Sequence, residues 1–170
     1  MTFEAAQNKI AELQAEADLY RRKALGLVLQ NMQENAPTQT FDQYSESLID
    51  IIVYNKGGEY TARDTIQTGT GQLGQLYNVR FVQRNPKAND DACIWFQRVP
   101  TNETNQHPKF WILHTSDGEK NNLHLAIERD PESSYPMPLT TEDDYAEFAT
   151  ELEAFHTEMT RLKTERFPKR

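Results

Sequence analysis

Four histidines, one cysteine, a glycine-rich hexapeptide and a dense run of carboxylates are where this 170-residue chain could do chemistry. His107, His114, His124 and His156 would serve as metal ligands or proton carriers, but they show no metal-ligand spacing. His114 and His124 fall on adjacent strands of an expected hairpin. A two-residue Asp117-Gly118 turn would pair position 114 with 121 and 124 with 111, so the two rings would not face each other. Cys93 lies in Cys-Ile-Trp-Phe, the setting of a buried, inert thiol, and a Cys–His nucleophile pair would need contact through space. Gly69-Thr70-Gly71-Gln72-Leu73-Gly74 spells G-x-G-x-x-G. The phosphate-binding form needs a strand before it and a helix N-terminus after it, whereas here a strand follows. Kinase companions are missing too, so the segment reads as a mobile linker. Paired carboxylates such as Glu142 and Asp144 sit on a solvated helix, not in an apolar cleft that would raise one pKa. The expectation is no enzyme, no cofactor and no metal.

The carboxylates offer charge instead of catalysis. Asp130, Glu132, Glu142, Asp143, Asp144, Glu147, Glu151, Glu153 and Glu158 come without an intervening Lys or Arg. The chain holds 26 acidic against 18 basic side chains, so this block accounts for its net charge of −8. A concentrated field of one sign attracts basic partners. On a helix, Asp143, Glu147, Glu151 and Glu158 would form an outward row with Glu142 and Asp144 beside it, one step of four residues advancing about 6 Å. That resembles the spacing of phosphates along a nucleic-acid strand, roughly 3.4 Å each. The row is thus a candidate surface for a protein with a basic groove. The alternative is a solvated face that aids solubility and offsets the helix dipole.

A second constellation is basic and aromatic. Arg80, Arg84, Lys87, Arg98 and Lys109 accompany Tyr77, Phe81, Trp95, Phe96 and Trp111, the residue types that bind single-stranded nucleic acid. Alternation puts Tyr77, Val79 and Phe81 opposite Arg80 and Arg84, so the aromatics read as core and the arginines as rim.

These residues need elements to position them. The predicted organisation is a single α+β domain over 1–170, with N-terminal helices, a four-stranded antiparallel meander and a long C-terminal helix packed on the sheet. Residues 1–36 form a long helix in which Phe3, Ile10, Leu13, Ala17, Tyr20, Ala24, Leu27/Val28 and Met32 recur at steps near three and four. It either projects as a coiled coil or packs on its own domain, and Gly26 weakens its middle by roughly 1 kcal/mol relative to Ala. A second helix occupies 40–55, capped by Thr40, with Phe41, Tyr44, Leu48, Ile51 and Ile52 on its apolar face. Period-two text over 75–129 supplies the sheet, after an irregular loop from Glu59 to Gly74. The acidic amphipathic helix spans 140–167, its stripe of Tyr145, Phe148, Leu152, Phe155, Met159 and Leu162 turned inward.

One cysteine, an acid near the start and no apolar run longer than Ala24–Leu29 suggest a cytoplasmic protein. Acidity argues against direct nucleic-acid or membrane binding. Lys9-Ile10-Ala11-Glu12-Leu13-Gln14-Ala15-Glu16-Ala17 resembles the oligomerising coil of H-NS-type nucleoid proteins, over some thirty residues. The basic, glycine-containing DNA hook of that family has no counterpart, so the resemblance implies no DNA binding. The combined expectation is a non-enzymatic interaction module, an inhibitor that offers its acidic helix to a nucleic-acid-binding protein. The alternative is an oligomeric adaptor, with a homodimer formed through residues 3–35. A small enzyme of unrecognised class is the third reading.

Overall fold

The computed structural model describes residues 2–35, 37–54, 58–63, 66–84, 92–101, 107–116, 121–130 and 136–166. Helix α1, Phe3–Asn35, begins where the Thr2 hydroxyl accepts a hydrogen bond from the Ala5 amide at 3.0 Å. Helix α2, Pro37–Tyr54, starts three residues before the expected Thr40 cap. Pro37 opens the helix because its missing N–H and fixed φ suit a first helical position.

Seven strands follow: β1 Glu59–Ala62, β2 Ile66–Leu73, β3 Tyr77–Arg84, β4 Ala92–Arg98, β5 Lys109–Ser116, β6 Asn121–Glu128 and β7 Met137–Pro138. Each pairs antiparallel with its neighbour in sequence, giving the order β1 through β7. The expected meander is present, but its extent of four strands is corrected to seven among the described residues. The stretch expected to be an irregular loop, Glu59 to Gly74, holds the paired strands β1 and β2. Its Gly69 and Gly71 break the alternating pattern because they carry no side chain, and at Gly69 none would fit. Gly69 pairs with Phe81, and a Cβ on it would lie 2.0 Å from the Phe81 ring. The G-x-G-x-x-G text therefore lies in β2 and in the turn to β3, where Gly74 takes a φ of 61°.

Helix α3, Glu142–Arg166, closes the described fold. The Thr141 hydroxyl accepts from the Asp144 amide at 3.1 Å, which identifies Thr141 as its cap. Its expected stripe is the core face: Phe148, Leu152, Phe155, Met159 and Leu162 are buried. They meet the inward rows of the sheet, with Phe155 stacked on Phe96 at 4.2 Å and edge-on to Tyr77 at 5.3 Å. Helix α2 adds Phe41, Tyr44, Leu48 and Ile52 to the same core.

Helix α1 divides into two parts. From Thr2 to Arg22 every residue except Ala6 is exposed. Further on, Gly26 and Leu29 are buried against α3. The Tyr145 hydroxyl donates to Gln33 Oε1 at 2.9 Å, and Gln33 Nε2 donates to the Leu123 carbonyl at 3.1 Å. Gly26 thus has a packing reason that outweighs its low helix propensity. A Cβ there would lie 2.9 Å from the Ala146 amide nitrogen and 3.1 Å from its Cα. Gly26→Ala is expected to lower stability by about 1–3 kcal/mol, although alanine favours the isolated helix. An unchanged or raised denaturation midpoint would contradict this packing.

Candidate interaction surfaces

The six acidic candidates all lie on α3, and they do not form a bare row. Glu142 and Asp143 are exposed. Arg129, just past β6, reaches Asp144 Oδ1 at 3.1 Å and Glu147 Oε2 at 2.7 Å. Glu151 receives the Tyr77 hydroxyl at 2.9 Å and the Arg98 guanidinium from β4. Glu158, expected to face solvent, is buried, paired with Arg161 and set against the β2–β3 turn at Gly74. Glu153 pairs with Arg21 of α1. The physical reason is local. An apolar stripe shows which face of a helix meets apolar neighbours, but the flank at 151 and 158 meets polar strand ends.

Electrostatics follow this pairing. Desolvation pushes the Asp144 carboxyl up, but the Thr140 and Thr141 amides, the Thr141 hydroxyl and Arg129 outweigh it and hold the pKa below the usual carboxylate value. Burial, then the adjacent Glu151 carboxylate, raise the Tyr77 phenol well above its ordinary value. Glu151 is the hub of this network, its side chain 17% exposed. Glu151→Gln is expected to cost about 1.5–3 kcal/mol, the range for hydrogen bonds to charged groups, whereas Glu142→Gln should cost about 1 kcal/mol or less, its share of the helix-dipole interaction. Equal urea midpoints for the two variants would show that the network adds nothing.

The chemistry-bearing residues of the sheet are separated by its register. Ser116 pairs with Asn121 and His114 with Leu123, so the expected pairing of 114 with 121 is corrected by two positions. Four residues connect the strands, and Asp117-Gly118 lies outside the described residues. His114 points inward and is buried, its ring centroid 5.7 Å from that of Phe41. Cys93 and His124 both pair with Leu113, on the face opposite His114. A Cys93–His114 pair is therefore not formed. Among the described residues no cluster of His, Cys, Asp and Glu could hold a metal ion. Two grooves flank α3. An apolar one of about 170 Å³ is lined by Leu25, Val28, Leu29, Met32, Tyr44 and Leu152. A more polar one of about 460 Å³ is lined by Leu19, Arg22, Lys23, Glu147 and Thr150. Neither includes Cys93 or His114.

The basic and aromatic set splits across the sheet. Tyr77, Phe81 and Phe96 are core, as alternation implied for the first two. Trp95 and Trp111 share the opposite face with Arg80, through the pairs Arg80–Trp95 and Trp95–Trp111. Lys109 sits 4.6 Å above the Trp95 ring and 3.6 Å from Glu128, so its charge is already engaged. Lys87 lies outside the described residues. Sequence alone did not place the two tryptophans beside Arg80, because their face depends on strand register.

The remaining surface is on α1. Phe3, Ile10, Leu13, Tyr20 and Leu27 are 80%, 55%, 52%, 63% and 60% exposed, joined by Ala6, Ala17 and Ala24 at steps of three and four. With about 100° per residue, this seam is centred roughly 180° from the line Leu19, Arg22, Gly26 and Leu29 that faces α3. The seam therefore points away from the helix on which α1 rests. No helix of the described residues is long and apolar enough to cross a membrane. No family model, curated protein or solved structure matches this chain.

Proposed function

We propose that this protein is a non-enzymatic interaction module, an oligomeric adaptor that assembles through α1. One observation carries the reading: heptad-spaced apolar residues on α1 lie in water on the face turned away from α3. Exposed apolar surface of this regularity is costly unless another helix covers it. The carboxylates of α3 support the alternative less well. Presented to a basic groove as a nucleic-acid mimic, they would first have to exchange Arg129, Arg98 and Arg161 for the partner's cations.

Sedimentation velocity at two concentrations tests the proposal. The expected result is a mass above one chain that rises with concentration. A strict monomer at the higher concentration would overturn it.

A further inference from the structure

The flanks of the α1 seam discriminate among the ways in which a second copy could lie on it. We infer that two copies pair as a parallel, in-register coil over Phe3–Leu27, which rests on the reading that α1 is the assembly element. With Phe3 taken as position a, the seam fills every a and d position to Leu27. In a parallel pair each g side chain meets the e side chain five residues further along the partner. Lys9 then meets Gln14, Glu16 meets Arg21, and Lys23 meets Val28. No like charges face each other, and the Glu16–Arg21 attraction occurs twice. Arg21 is 57% exposed beside its own Glu153, so it has a free side for a second carboxylate. Lys23 lays its alkyl stem on Val28, which is 57% exposed in the single chain.

Antiparallel pairing over the same length is disfavoured. Setting Phe3 against Leu27 brings each g flank against its own kind, so Lys9 meets Lys23 twice and Glu16 meets Glu16. Sliding the helices until Lys9 meets Glu16 removes that repulsion. It also shortens the overlap, and Ala24, Leu27 and Val28 stay in water. Only the parallel register covers the whole seam without a like-charge contact. Helix α3 lies opposite the a and d positions and borders the seam's flanks at Arg21, Lys23 and Val28.

Cysteine cross-linking of the full chain, in a Cys93→Ser background, tests the orientation. Single variants Ala6→Cys and Ala24→Cys are treated with a short bismaleimide, and Asn8→Cys on the flank away from the seam gives the collisional background. A parallel coil brings each cysteine against its own counterpart, so both single variants should form covalent dimers well above background. In the full-length antiparallel coil, position 6 is about 27 Å from its counterpart, and only a mixture of the two variants would link. Linking confined to the mixture, or no linking above background in a sample that sediments as a dimer, overturns the parallel coil and leaves assembly through α1 standing. Sedimentation as a strict monomer overturns both.

Discussion

Replacing Ile10 and Leu13 together by Asp is expected to leave the chain monomeric at every accessible concentration, with its fold intact. The two side chains are 55% and 52% exposed and occupy successive a and d positions of the seam. Burying a fully exposed Ile or Leu contributes about 1.5–3 kcal/mol, so covering these half-exposed side chains contributes about half of that, and a symmetric pair loses each twice. The loss is therefore about 3–6 kcal/mol before the repulsion of four new carboxylates. That corresponds to a weakening of association by at least roughly 10²-fold. The fold of the single chain should be indifferent, because both side chains are exposed in it. Surface changes of this kind alter stability by about 0.5 kcal/mol or less. Sedimentation velocity and urea unfolding of dilute protein read the two halves of the claim separately. An assembly that survives the double substitution would show that the seam is not its interface.

Phe155→Ala should have the opposite signature, a collapse of stability unrelated to assembly. Phe155 is fully buried, stacked on Phe96, edge-on to Tyr77 and 6.4 Å from Tyr44. It thereby joins α3 to β3, β4 and α2 at once. Truncation of such a ring costs about 3–5 kcal/mol through lost burial and the cavity left behind. Domains of this size have about 5–15 kcal/mol in total, so a substantial unfolded fraction on mild warming is expected. Phe3→Ala removes the same ring from a position that is 80% exposed and should leave the unfolding midpoint of the dilute chain unchanged. Thermal scans of the two variants compare the positions directly. A Phe155→Ala midpoint close to the parent would mean that this aromatic junction does not hold α3 to the sheet.

The sequence shows periodicity clearly and register poorly. The stripe from Phe148 to Leu162 is legible because each apolar residue meets an apolar core, and every residue of it is buried. Four strands are legible for the same reason. Strand β2 is not, because Gly69 yields its place to Phe81 and Gly71 carries no side chain either, leaving no alternation to read. The acidic candidates fail differently. Counting charges along Glu147, Glu151 and Glu158 reveals their common helix but not the cations that other elements bring to it. Arg98 is 53 residues from Glu151, and Arg21 is 132 from Glu153. Such pairs depend on tertiary placement, which a charge run does not encode. The seam of α1 was visible as a repeat. That it faces away from α3 follows only from where Gly26 and Leu29 are buried.

The junction between α1 and α3 also sets a schedule for synthesis on the ribosome. The sheet is local in sequence, each strand hydrogen-bonding to the one made just before it, a topology that can form progressively as the chain emerges. The first helix must wait, because Leu29 and Gly26 find cover only when Ala146 and Ala149 have been translated. At cellular elongation rates that delay is on the order of ten seconds. Throughout it both long faces of the nascent helix are uncovered.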